Sequence, residues 1–497
     1  MVVPSARLAS GVHIDVSLTT GFLHRQPVTV PEARRRVAKK VGRPMGCVLL
    51  VNPVTNAILE DIATLSAEVQ VVLLSADPQV ERAAEASLLR AVGVTTMDEL
   101  AGRRQLALGN RILRTLPESL SQCTALRELR LEHNQIRSLP ESFGRLVALQ
   151  HLTLSHNHLS SLPESFHRLT RLRYLLLIEN CFERLPERFG QLAALRDLWL
   201  DVNRISSLPD SFGELTALCN LGLRRNCLES LPESFGQLRA LQRLSLNLNN
   251  LSSLPASFGH LTALGELHLD HNCLTTLPES FDGLANLHLL KFQQNRLSLP
   301  ESFGQLASLE KVFLNASSIR CLPESFGRLS ALQRLYLSRN SLSRLPESFG
   351  QLVALRVLLL NQNRLESLPG SFGGLGALQE LRLDQNRLTR LPESVGQLTS
   401  LKSLWLSENI LHGLPESFSN LTQLRDLRLD RNRLKKLPAR FCDLDSLQIL
   451  CLDQNPLSTL PESCQQLKAS EHICVGPLLR ANMCLQPILR ALLRPIS

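Results

Sequence analysis

Aromatic side chains are scarce in this chain of 497 residues, with two Trp, two Tyr and 4% Phe, Trp and Tyr in all. Indole and phenol rings therefore cannot build its core, and where those four residues fall becomes informative. Nowhere do 18 or more apolar residues run together, so no membrane-spanning helix is predicted. Met1 to Val16 lacks the basic start, apolar block and small-residue cleavage site of a secretory signal, so export by that route is not expected. The twelve cysteines form no CxxC pair and no clusters flanking a domain, which predicts free thiols, a reducing compartment and a cytoplasmic location. GxxxxGKS/T, GxSxG and HExxH are all missing, and no acid and base pair stands out, so neither catalysis nor a cofactor nor a small-molecule substrate is expected. Charge excludes little. The net +9 arises from 54 basic and 45 acidic residues spread along the chain, a weak argument for nucleic acid. The densest basic run, Arg34, Arg35, Arg36, Lys39 and Lys40, reads as a solvated helix face.

What is abundant is repetition. A Leu-Pro pair recurs every 23 residues from Pro117 through Pro278, takes one step of 22 to Pro300, and resumes at 23 through Pro461. The unit reads LxxLxLxxNxLxxLPxSFGxLxx, as in Leu126, Leu129, Leu131, Asn134, Ile136, Leu139, Pro140, Ser142, Phe143, Gly144 and Leu146. The LxL alternation puts two leucines on one side of a short strand and sends the residues between them to the other, so successive repeats pair in parallel. Pro140 and its equivalents fix φ after the strand, and Gly144 and its equivalents are expected to permit a tight or left-handed turn. Thirteen of the 17 phenylalanines occupy the SFG slot, where stacking would make an apolar spine on the outer side.

This pattern resembles the leucine-rich-repeat family, and its LPxSFGxL half is similar to the intracellular, Ras-group type. The resemblance implies an α/β repeat solenoid with a parallel sheet on its concave face. It also implies a ladder of side-chain bonds from the asparagine that follows each strand, from Asn134 to Asn455.

Before the repeats, apolar alternation predicts strands at 12–18 and 25–30, a helix from Pro31, and strands at 47–51 and 69–74, a β-grasp order. Together with the LEDxxTLS phrase at Leu59 to Ser66, this resembles a ubiquitin-like domain. Where ubiquitin ends in a diglycine, this segment continues Ser75, Ala76, Asp77, which implies a fused docking module rather than a conjugated tag. A small α/β domain that shields the first repeat is the alternative. The domain plan is a tail at 1–10, a β-grasp-like α+β domain at 11–76, a helical connector and cap at 77–104, the repeats at 105–461 and a helical cap at 462–497.

With the leucines committed to core, function must sit in the variable strand positions. Both tryptophans lie in the central column, as does Tyr336, and Tyr174 sits just before its strand, so all four Trp and Tyr are expected on one face. Two apolar patches result. One joins Tyr174, Leu176, Ile178, Trp199 and Val202; the other joins Phe313, Tyr336, Val357 and Leu359, with Trp405 two strands beyond. At a spacing of about 4.8 Å per strand, Trp199 and Phe313 should lie roughly 24 Å apart. Such residues are enriched where proteins bind proteins. The expected function is therefore capture of a protein partner by a scaffold or receptor in intracellular signalling or complex assembly. An adaptor of a ubiquitin or proteasome pathway is the second possibility. Arg224 and Arg225 beside Asp201, and Asp430 beside Arg428 and Arg431, are read as rim charges. Glu266, His268, Asp270 and His271 share one strand but alternate faces, so no metal site is predicted. The missing residue before Pro300 and the replacement of the ladder asparagine by Ser317 are expected to loosen packing there.

Overall fold

Each repeat begins with a three-residue strand because its sequence permits no more. Core leucines flank one outward position, and the asparagine then turns the chain away. In a computed structural model of the protein, which describes residues 78–458 together with short strands in 5–73 and 472–474, this unit recurs throughout. Residues up to Leu169 and from Thr170 onward form two units.

In the first unit, four strands precede the repeats: β1 (Ser5–Leu8), β2 (His13–Ile14), β3 (Val48–Val51) and β4 (Glu68–Leu73). Their order is β2-β1-β4-β3, with β1 parallel to β4 and both outer pairings antiparallel. The first strand lies within 1–10, which the sequence assigned to a tail. Of the expected 12–18 strand, His13–Ile14 is described, and the expected 25–30 strand and following helix lie outside the described residues. Helix α1 (Pro78–Val92) and the short α2 (Asp98–Ala101) lead into strands Gln105–Ala107, Glu128–Arg130 and His151–Thr153, which pair in register. Helix α1 closes the start of the array. Its Glu81 and Glu85 accept hydrogen bonds from the Ser119 amide and hydroxyl at 3.3 and 2.8 Å.

In the second unit, strands run in one parallel sheet from Tyr174–Leu176 through Ile449–Cys451, each set one repeat from the next. The central residue of each strand, a leucine except at Val312, is buried, and apart from Gly222 its neighbours are not, giving the alternation the sequence predicts. This is a repeat solenoid. The sheet takes one further step, to His472–Cys474, which pairs with Ile449–Cys451. That stretch was expected to be part of a helical cap. Ile473 stands 23 residues after Leu450 and pairs with it across the sheet; the rest of 459–497 lies outside the described residues.

Two ladders tie repeats together. Asn363 shows the first: its Nδ2 donates to the carbonyls of Leu337 and Leu360, both at 2.9 Å, and its Oδ1 accepts from the Leu342 amide at 3.1 Å. The second ladder was not legible beforehand. In most repeats the serine of LPxS donates to the main-chain carbonyl one repeat earlier, as Ser348 does to Glu324 at 2.5 Å and Ser417 to Glu393 at 2.6 Å, while the buried hydroxyls of Ser234 and Ser394 find no such partner.

The glycine expectation needs correcting. Among the described glycines only Gly93 has a positive φ. Gly350 is required instead by close approach, because a Cβ there would overlap the Ser371 carbonyl, and the same holds at Gly144 with Ser165. The left-handed position is the one before each ladder asparagine, held by residues such as Glu179, Val202, Arg225 and Gln362.

On the outer side, Pro140 sets φ at −64° and the Phe143 amide donates back to its carbonyl at 3.0 Å, starting a short 3-10 turn. The phenylalanines stack at about one strand spacing or slightly more. Rings run in unbroken contact from Phe189 to Phe281 at 6.1–6.2 Å, and again from Phe303 to Phe372 at 5.8–6.3 Å. The one-residue deletion falls between these two columns. Val395 then takes the next slot before Phe418 stacks on Phe441 at 6.3 Å.

The deletion therefore breaks the apolar spine, but it does not leave polar groups stranded. Ser317 is fully buried, and its hydroxyl donates to the carbonyls of Phe292 and Asn315 at 3.0 and 3.2 Å. Its own carbonyl accepts from the Leu297 amide at 3.0 Å, replacing the missing asparagine oxygen. Asn340 completes the repair, its Oδ1 accepting from the amides of both Ser317 and Ile319 at 3.0 Å.

Candidate protein-binding face

The inward leucines leave the first and third residues of every strand, and the residue after the next leucine, on the open side of the sheet. Nine of the ten expected site residues are half-buried there, and Val202, also half-buried, stands one residue further on, directly before its ladder asparagine. Tyr174 opens its strand rather than preceding it.

In the first patch, Tyr174, Leu176 and Ile178 alternate along one strand, and Leu176 pairs with Trp199 on the next. Trp199 in turn pairs with Gly222. Gly222 is the residue that sequence reasoning passed over. The Trp199 ring and the Asp201 carboxylate occupy the space its Cβ would need, so the indole lies over a buried glycine. A gap in a column otherwise filled by side chains was the available signal. Burial pushes the Asp201 carboxyl above its ordinary range, opposed by a hydrogen bond from the Arg224 amide at 2.8 Å. Val202 takes the left-handed position at φ 58°, an uncommon place for a β-branched residue.

A polar middle follows. Burial lowers the His268 imidazole's affinity for a proton, Lys291 lowers it further, and Glu266 opposes both. Burial raises the Asp270 carboxyl, whose Oδ1 accepts from the Gln293 amide at 2.9 Å. Among the described residues, no group of three or more His, Cys, Asp or Glu is placed to hold a metal ion.

In the second patch, Phe313 and Tyr336 stack face to face at 4.4 Å with planes 5° apart, and the Lys291 ammonium lies 5.8 Å over the Phe313 ring. Leu359 pairs with Tyr336 and Val357 with Arg334 on the next strand. A chain of polar contacts runs beside them: Asn315 Nδ2 donates to Gln293 at 3.2 Å, the Ser338 amide donates to Asn315 at 2.8 Å, and its hydroxyl donates to Asn361 at 2.5 Å.

Trp405 belongs to neither patch. Arg382 and Arg428 lie over its two faces at 3.9 and 4.0 Å, and its Nε1 donates to Asp426 at 2.9 Å. Each guanidinium also bonds a carboxylate on its own strand, Arg382 with Glu380 at 2.8 Å and Arg428 with Asp426 at 3.2 Å. The expected rim grouping of Asp430 with Arg428 and Arg431 is redistributed. Asp430 accepts from Ser407 at 2.5 Å, and Arg431 pairs with Glu408 at 3.0 Å. Asp384, beside this sandwich, has a buried Oδ1 without a hydrogen-bond partner, and burial raises its carboxyl.

The expectation of uniformly free cysteines fails at one place. Cys442 is disulfide-bonded, whereas Cys181, Cys219, Cys227, Cys273 and Cys321 of the second unit are free thiols. Among the described residues, no helix is long and apolar enough to cross a membrane.

A model of the leucine-rich repeat region matches residues 114–218, 188–271 and 323–412. The leucine-rich-repeat protein LIC12759 of Leptospira interrogans is 36% identical; the match covers 73% of this chain and 93% of that one, with a TM-score of 0.63. A TDR receptor is 26% identical over 77% of each chain, with a TM-score of 0.60. The Arabidopsis receptor kinase HAESA, solved with the peptide hormone IDA and the co-receptor SERK1, is 25% identical over 79% of this chain and 78% of that chain, with a TM-score of 0.52. Among curated proteins, none matches this sequence.

Proposed function

We propose that this chain, which belongs to the leucine-rich-repeat family, captures a protein partner on the open face of its parallel sheet and catalyses no reaction there. One observation carries the reading. All four Trp and Tyr side chains, and Phe313 with them, stand half-buried on that face while leucine and phenylalanine fill the core. Partly exposed aromatics of this kind supply large contact area when a partner covers them. The peptide hormone bound by the similar receptor HAESA supports the same use of the fold. A scaffold or receptor role in intracellular signalling or complex assembly follows. The exposed free thiols of Cys227, Cys273 and Cys321 support a cytoplasmic location, and the disulfide at Cys442 opposes it.

The test compares the partner set recovered with the full chain and with Trp199→Ala and Tyr336→Ala variants that retain the wild-type circular dichroism spectrum. Loss of specific partners is expected. An unchanged set would remove these residues from the interface.

A second reading, an adaptor of a ubiquitin or proteasome pathway, draws support from the β2-β1-β4-β3 order, since a mixed sheet with its first and last strands parallel at the centre suits a β-grasp module. Deleting residues 1–76 separates the two. Retained capture favours the repeats, and loss of all capture favours the N-terminal module.

A further inference from the structure

The second patch differs from the first in charge. Across the four strands from Leu289 to Leu359, the strand positions and the two residues after each strand's last leucine carry Lys291, Lys311, Arg334 and Arg339 and not one carboxylate. Glu310 stands one residue before its strand, at the margin. Among the described residues, none of these four cations has an ion-pair partner within 4.0 Å; Arg339 donates only to the neutral Gln362, at 2.7 Å. Of the carboxylates that bound the stretch, Glu380 pairs with Arg382, and Asp270 accepts from the Gln293 amide and attracts Lys291 without forming an ion pair within 4.0 Å. Like charges held together without counter-charge repel, and an anion supplied from outside relieves that repulsion. At the centre of this basic ring lies the Phe313–Tyr336 stack with Leu359 beside it.

We propose that this patch receives an acidic segment of the partner protein, with carboxylates meeting Lys291, Lys311, Arg334 and Arg339 around an apolar or aromatic side chain seated on Tyr336 and Leu359. The assignment rests on the reading of the open face as a protein-binding surface and adds the chemistry of what binds. Four strands span about 14 Å, the reach of roughly four extended residues, so a short acidic stretch suffices. Single-stranded nucleic acid would also answer the charge, but it binds by stacking bases on open ring faces. Here each ring presses one face against the other, and Lys291 covers the outer face of Phe313.

The test pans a random 16-residue peptide library against the full chain at physiological salt and measures the enriched peptides by fluorescence anisotropy. Enriched peptides should carry a clear excess of Asp and Glu with at least one aromatic or leucine. They should bind about tenfold more weakly to a Lys311→Glu/Arg334→Glu variant, and their affinity should fall as salt is raised. Neutral or basic enriched peptides, or acidic ones indifferent to the double variant, would overturn the assignment. If such peptides lose binding in Trp199→Ala instead, the open-face reading survives without this one. No enriched peptide at all would count against both. A 15-nucleotide oligouridylate that binds more tightly than the peptides, and loses binding in the same double variant, would make the patch a nucleic-acid site and overturn the proposal.

Discussion

Asn340 accepts from two buried amides where Asn363 accepts from one, and removing it should cost correspondingly more. In an ordinary repeat, Asn363→Ala orphans one buried amide, that of Leu342, and withdraws donors from the carbonyls of Leu337 and Leu360. Asn340→Ala withdraws the equivalent donors, from Leu314 and Leu337 at 2.8 Å each, but orphans two buried amides, those of Ser317 and Ile319. An unsatisfied buried amide costs about 1–3 kcal/mol, so Asn340→Ala should destabilise by about that much more than Asn363→Ala. Urea unfolding followed by circular dichroism measures the difference, provided the two variants share the wild-type slope. Hydrogen exchange with mass spectrometry locates it, since the peptide holding Ser317 and Ile319 should lose protection only in Asn340→Ala. Equal midpoints for the two variants, with that peptide still protected, would refute the claim that Asn340 repairs the irregular repeat.

Gly350→Ala should destabilise by about 1–3 kcal/mol, because its Cβ would overlap the Ser371 carbonyl, whereas Gly376→Ala, with open space around it, should leave the urea midpoint unchanged. The raised carboxyl of Asp201 holds its proton more tightly in the folded chain than in the unfolded one. It therefore opposes folding above both pKa values, and that cost disappears as pH falls through the folded value toward 3.8. Asp201→Asn, which keeps an oxygen for the Arg224 amide, should be at least as stable as wild type at pH 7, with the difference shrinking on acidification; a lead that persists unchanged down to pH 4 would contradict the burial argument. Maleimide labelling without reductant should modify the exposed Cys227, Cys273 and Cys321 and spare Cys442, which should react only after reduction and unfolding.

The strand and the phenylalanine spine could be read from the sequence because each depends on one residue type at a fixed offset, whereas the asparagine ladder was what the family resemblance implied. The serine ladder was hidden. Ser348 bonds a main-chain carbonyl one repeat away, and main-chain partners leave no mark in a sequence. For the same reason the glycines were misassigned: Gly350 answers a neighbour's backbone rather than its own dihedral. The direction of all four Trp and Tyr followed from strand alternation, but what each touches did not. That Trp405 would be clasped by Arg382 and Arg428, while Phe313 and Tyr336 would stack on each other, depends on side-chain rotation and on which neighbours share a row. Ser317 was legible as an anomaly, but the satisfaction of its polar groups was not, because the backbone carbonyl that replaces the lost amide oxygen becomes available only once the chain has folded.

The interrupted phenylalanine column bears on cooperativity. In a one-dimensional array the coupling between neighbouring units decides how far an unfolding event travels. Within each column, one ring's loss exposes the faces of the next, so those repeats should melt as a block. Between Phe281 and Phe303, and again at Val395, the ring stack is interrupted and that coupling passes through the other core side chains and the hydrogen bonds. These two joints are the weak links of the second unit, where a partly unfolded intermediate would end and where a frayed end would stop advancing.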